Sequence, residues 1–304
     1  MASQEDAVSP KEHYLKVNGI NLCVFEWPGD GPPVLFVHAT GHHARCWDAV
    51  ARRMPGQRAY AVDLRGHGRS DKPAPPYLWN AFAEDVAAAA DAFGLRNIVG
   101  VGHSMGGHVV ASAALLRPRL FSAMLLVDPT IPSPNRPLGQ RPGGEHPVAR
   151  RRDLWASPEE MFANFKERLP FSTWTHEALW DYCRFGLLPN PDGQGYVLAC
   201  PPQVEAAVYG GGITLGLLNE LSRLTFLVRV LRARPRVSED PADNFRGSIT
   251  WPELAQHLPQ GQDVSMPECS HFIPQEAPDA VAWHINELLD VARRNVATAR
   301  ERVL

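Results

Sequence analysis

Apolar and polar residues follow two rhythms along this chain. Residues 13–27 alternate between them, and Asn18-Gly19 in the middle predicts a hairpin of two strands. Short, continuously apolar runs follow: Val34-Leu35-Phe36-Val37, Ala59-Tyr60-Ala61-Val62, Ile98-Val99-Gly100-Val101 and residues 123–127, then residues 226–231, interrupted by Arg229, and a weaker one near Asp263-Val264-Ser265. Runs of this kind predict strands buried on both faces. Between them, Phe82, Val86, Ala89, Ala90 and Phe93 recur at helical spacing, with Gly94 as a stop. Val281, Ile285, Leu288, Leu289 and Ala292 repeat that spacing near the end. Strands alternating with helices predict an α/β protein whose mostly parallel central sheet carries helices on both faces.

The rhythm breaks at about Ile131 and resumes at about Leu224. The interval opens with a basic stretch rich in Pro and Gly (residues 132–152), then turns to helix-like segments rich in Trp, Phe and Leu. It is too long for a loop. The expected organisation is a core of residues 1–130 and 225–304, interrupted by a helical cap of residues 131–224. Part of its aromatic set, Trp180 included, is expected to roof an apolar pocket. Arg150-Arg151-Arg152 reads as a solvated edge. Gly210-Gly211-Gly212 reads as a hinge or a tight turn.

Composition narrows the function. Of 304 residues, 44% are apolar and 21% charged, as in an ordinary globular protein. The net charge of −3 gives no support for binding nucleic acid or an anionic membrane. No apolar run approaches the ~18 residues of a membrane span, and the opening residues carry neither a basic nor an apolar region, so no secretory signal is expected. Cys23, Cys46, Cys183, Cys200 and Cys269 are scattered, without C-x-x-C. That pattern fits reduced thiols and a cytoplasmic protein. The nucleotide signatures G-x-x-x-x-G-K-S/T and strand-following G-x-G-x-x-G are missing, so no cofactor is expected.

The most informative segment is Gly102-His103-Ser104-Met105-Gly106, set between an apolar strand run and a helix-compatible run. A serine on a sharp strand-to-helix turn has its hydroxyl exposed above the strand end. Flanking glycines remove side chains that would collide there. The Met105 N–H is then aimed at an oxyanion position. A base must take the serine proton, and His271, in a loop between the last strand and the last helix, is the candidate. His42, His43 and His103 cluster near the proposed site by sequence and are candidates for lining the substrate pocket. Their loop context offers no helical ligand face, so no metal is expected.

Taken with three further motifs, this segment makes the chain resemble the α/β-hydrolase fold. His38-Ala39-Thr40-Gly41 after an apolar run resembles the oxyanion loop, with Ala39 where the family has glycine. Asp63-Leu64-Arg65-Gly66-His67-Gly68-Arg69-Ser70 matches D-x-R-G-x-G-x-S. Ser270-His271-Phe272 matches the catalytic-histidine loop. The resemblance covers roughly residues 13–130 and 224–295 and implies Thr40 as the second oxyanion donor. It also implies an acid after the penultimate strand, but that pattern places Arg236 there, and arginine cannot accept a hydrogen bond. Two solutions stay open. One is Asp128, at the end of the strand after the nucleophile helix. The other is a rearranged loop using Glu239, Asp240 or Asp243.

These residues lead to an expected serine hydrolase acting on a carboxylic ester or lactone of small to medium apolar size, through an acyl-enzyme on Ser104. Two alternatives remain: a C–C bond hydrolase or perhydrolase with the same triad, and a hydrolase-like protein that binds a ligand without turnover. The expected partner is the small-molecule substrate, with no nucleic acid and no membrane insertion.

Overall fold

The computed structural model describes residues 9–131, 133, 146–211, 216–237 and 245–301, with side chains to residue 294. The hairpin at Asn18-Gly19 joins β1 (Lys11–Val17) to β2 (Ile20–Trp27), both turn residues taking positive φ. The core continues through β3 (Asp30–Val37), α1 (Asp48–Ala51), β4 (Gln57–Val62), α2 (Trp79–Ala92), β5 (Ile98–His103), α3 (Met105–Leu116) and β6 (Phe121–Val127). An inserted segment follows. It carries β7 (Leu154–Trp155), α4 (Pro158–Phe165), α5 (His176–Phe185), β8 (Leu187–Pro189), β9 (Tyr196–Leu198), α6 (Pro202–Gly210) and α7 (Leu217–Glu220). The core resumes with β10 (Leu227–Ala233), β11 (Gly261–Met266), α8 (Ile273–Glu276) and α9 (Pro278–Glu301).

One sheet runs in the order β1-β2-β4-β3-β5-β6-β10-β11. The β1–β2 and β2–β4 pairs are antiparallel and every later pair is parallel. Successive residues point to opposite faces, which explains the unbroken apolar runs. Leu35 and Val37 pack with Phe82, Val86 and Val109 of α2 and α3. Val34 and Phe36 share the opposite face with Val281, Ile285 and Leu289 of α9.

The strand order reverses direction between β3 and β5. In an open parallel sheet the crevice beyond the strand ends at such a switch point is where ligands bind. The loop after β3 and the turn after β5 flank it.

The inserted segment has its own apolar cluster, including Trp155, Met161, Trp174, Leu179, Tyr182 and Leu198, joined by Cys46 and Phe272 of the core. It is not purely helical: β7, β9 and β8 form a three-stranded antiparallel sheet. Strands of two or three residues are too short to register as an alternating pattern. Among the described residues, no helix is long and apolar enough to cross a membrane.

Candidate active site

Ser104 caps α3 with φ 56° and ψ −120°, a backbone conformation that side chains rarely adopt. Its neighbours must be small. A Cβ on Gly102 would lie 2.3 Å from the Gly106 carbonyl oxygen, and one on Gly106 would lie 2.2 Å from that of Val37. Gly106 therefore lets α3 press against the end of β3, and this brings the two loops at the switch point together. Met105 begins α3, so its N–H has no acceptor within the helix. The Thr40 N–H donates to no backbone carbonyl among the described residues. The Thr40 hydroxyl donates to Met105 Sδ at 3.3 Å, tying the two residues together.

His271 Nδ1–H donates to Asp128 Oδ2 at 2.6 Å, with both side chains buried. Asp128, at the end of β6, has a positive φ of 40°. Its carboxylate also accepts from the Ser248 hydroxyl, from Ile249 N–H at 3.1 Å and from Ala233 N–H at 3.3 Å. Burial alone would raise this carboxyl. The bond from His271, that residue's charge, and the bonds from Ser248 and Ile249 outweigh it and hold the group below the usual carboxylate range. Thus the described part of the loop after β10 supplies donors to Asp128. Asp240 and Asp243, with Glu239, lie outside the described residues. Ser248 carries no sequence signal that sets it apart from other loop serines.

His42, His43 and His103 are neutral supports. Burial lowers His42 and His43 to about 3 and holds His103 well below its usual value. His103 Nε2–H donates to the His271 carbonyl at 2.9 Å and its ring lies 4.9 Å from that of His271, so it steadies the histidine loop. His43 Nε2–H donates to the Tyr182 carbonyl at 3.1 Å, which joins the loop after β3 to α5. His42 Nδ1–H donates to the Thr40 carbonyl at 3.2 Å. The rings packed around His42 are those of Trp174, Tyr182, Phe272 and His103. Trp180 is not among them; it sits edge-on to Phe162 within the inserted segment. Trp174 and Tyr182, members of the same aromatic set as Trp180, are the ones that meet His42. Phe245, which also carried no signal, stacks on His271 at 5.2 Å.

Two further motifs take their places in the structure. In the Asp63 segment, the carboxylate accepts from Ala44 N–H at 2.7 Å and Arg69 N–H at 2.8 Å, as a buttress for the loop after β3. Arg151 is not a solvated edge charge: its guanidinium lies 2.7 Å from the carboxylate of Glu205, which is buried beside Gly41. Among the described residues, no group of three or more His, Cys, Asp or Glu is placed to hold a metal ion.

The profile of the Alpha/beta hydrolase family matches residues 34–282, and the chain belongs to that family. A stretch of 97 residues is 42% identical to a non-heme chloroperoxidase of Streptomyces lividans, covering 31% of this chain and 35% of that protein. Lipase LipV of Mycobacterium tuberculosis is 38% identical over 113 residues, which cover 37% of this chain and 43% of the lipase. The chain therefore spans less than half the length of either of these curated relatives. The crystal structure of E-2-(acetamidomethylene)succinate hydrolase superposes with a TM-score of 0.73 at 21% identity, covering 92% of this chain and 99% of that one. The fold is the same.

Proposed function

We propose that this chain is a serine hydrolase that cleaves a carboxylic ester or lactone of a small to medium apolar compound. The observation that carries the reading is the 2.6 Å bond between His271 and Asp128, on the strand beside that of Ser104. Ser104 Oγ attacks the acyl carbon and its proton passes to His271 Nε2. Asp128 orients His271 and stabilises the imidazolium. The N–H groups of Met105 and Thr40 hold the oxyanion. Collapse breaks the ester bond, and the departing alcohol takes the proton from His271. Water then attacks the acyl-enzyme with His271 as base, releasing the acid and restoring Ser104. No cofactor enters this chemistry. Residues 131–224 act as a cap, and the aromatic rings of Trp174 and Tyr182 favour an apolar substrate group. The cysteines are free and buried, which supports a reducing, cytoplasmic setting.

The test is hydrolysis of p-nitrophenyl esters of graded acyl length, and of lactones, by wild type and Ser104→Ala. Turnover by wild type with a loss of at least ~10³-fold in the variant is the expected result. Turnover equal in the two proteins, or none above background in either, sinks the proposal. The similarity to the chloroperoxidase favours a second reading with the same residues, in which hydrogen peroxide replaces water and the product is a peracid. Adding peroxide to the ester assay separates the two.

A further inference from the structure

Asp128, Pro129 and Thr130 follow β6 in one tight turn whose backbone is held on every side. The Thr130 N–H donates to the Ser104 carbonyl at 3.0 Å. The Thr130 carbonyl accepts from His108 Nδ1–H at 3.2 Å, and the Pro129 carbonyl accepts from the Thr250 hydroxyl at 3.0 Å. A Cβ on Gly107 would lie 2.6 Å from Pro129 Cβ, so α3 and this turn are in close contact. The turn that delivers Asp128 to His271 therefore also delivers a second group. Thr130 Oγ1 lies 3.2 Å from Ser104 Oγ. Among the described residues, this is the hydrogen bond that the Ser104 hydroxyl makes; in this structure it is not bonded to His271.

We propose that Thr130 is a further catalytic residue, whose hydroxyl donates a hydrogen bond to Ser104 Oγ. The assignment rests on the serine-hydrolase reading above. Either hydroxyl can donate in the free enzyme. In the acyl-enzyme Ser104 Oγ has no proton, so only Thr130 can supply one to the contact. Oγ carries developing negative charge as it attacks, and again as it leaves the acyl group. A fixed donor aimed at it stabilises both transition states. Accepting from Thr130 also leaves the serine's own proton free to turn toward His271. The attachment of the Thr130 backbone to Ser104 and to His108 keeps this donor in place as the acyl group comes and goes.

The experiment compares Thr130→Val, which keeps the shape and deletes the hydroxyl, with Thr130→Ser, which restores it. Steady-state hydrolysis of p-nitrophenyl acetate gives kcat and KM. The rate of labelling by a fluorophosphonate, located at Ser104 by mass spectrometry, reads the nucleophile without turnover. In Thr130→Val both kcat and the labelling rate should fall about tenfold or more, as for one hydrogen bond to a group gaining charge, with KM within about twofold. Thr130→Ser should stay within about threefold of wild type, and both variants should melt within a few degrees of it. Thr130→Val as fast as wild type, or Thr130→Ser as slow as Thr130→Val, overturns the assignment while labelled wild type upholds the serine hydrolase. Wild type that neither labels at Ser104 nor turns over the ester overturns both.

Discussion

Asp128 Oδ2 and His271 Nδ1 lie 2.6 Å apart although 143 positions separate them in sequence. Parallel pairing of β5, β6 and β10 puts the ends of these strands side by side, so that residues distant in the chain converge at one edge of the sheet. On the proposed mechanism, Asp128→Asn removes the acceptor that fixes the histidine tautomer. The expected loss in kcat on p-nitrophenyl acetate is about 10⁴-fold, the scale of the same substitution in the serine-protease triad. Asp240→Asn should remain close to wild type. The opposite pattern would move the acid to the loop after β10.

Ser248 is a second lever on the same carboxylate. Asp128 lies below its ordinary value of 3.8, against the effect of burial, because His271, Ser248 and Ile249 all donate to it. A depressed carboxyl contributes stability that is complete above its ordinary value and lost as pH falls through the folded one. Ser248→Ala should therefore cost about 1.5–3 kcal/mol at pH 7, the scale of a hydrogen bond to a charged group. Urea unfolding of both proteins, repeated in steps below pH 4, should show the difference shrinking. A constant difference at every pH would show that Ser248 acts through packing instead.

Legibility in the sequence tracked the range of the interaction that mattered. Strands buried on both faces leave unbroken apolar runs, and the turn around Ser104 needs glycine on each side, so both are written locally. His271 stands in a loop with family-like neighbours. The choice between Asp128 and Asp240 was not local, because it depends on which loop reaches His271 across the sheet. Ser248 and Thr130 act through one oxygen each, and nothing nearby in the chain marks them. Trp180 and Tyr182 are two positions apart on α5, and only the docking of that helix decides that Tyr182 meets His42 while Trp180 faces Phe162.

Glycine substitutions should separate packing from helix propensity. Gly106→Ala puts a methyl 2.2 Å from the Val37 carbonyl oxygen, where backbone cannot yield without moving α3 off β3. The expected cost is at least ~1–3 kcal/mol, with loss of activity because Met105 moves with the helix. Gly210, at the end of α6, has no atom within 4 Å of the position a Cβ would take. Gly210→Ala should stay within about 0.5 kcal/mol of wild type in thermal unfolding. Equal effects would remove the close approach at Gly106 as the reason for that glycine.

Arg52 fastens the inserted segment to the core. Its guanidinium pairs with Asp181 and, at 3.2 Å, with Glu177, both on α5, and lies 4.0 Å from Asp48 on α1. Asp48 and Asp181 are buried, and burial together with the neighbouring Asp48 charge raises Asp181 to about 7. A carboxyl raised in this way keeps its proton in the folded chain while the unfolded chain has lost it. Its contribution to stability therefore falls as pH climbs from about 4 to about 7. Arg52→Met removes the cation from Asp181 and leaves that carboxylate beside Asp48, whose remaining partner among the described residues is Arg45. The cost should reach about 1–3 kcal/mol at pH 8, less than for a fully buried pair because Arg52 is 35% exposed. At pH 5.5 the proton on Asp181 relieves the repulsion and the loss should be smaller. Urea unfolding at the two pH values checks the sign. A loss that is equal at both, or larger at pH 5.5, would show that Arg52 contributes through its alkyl stem rather than by holding two carboxylates together.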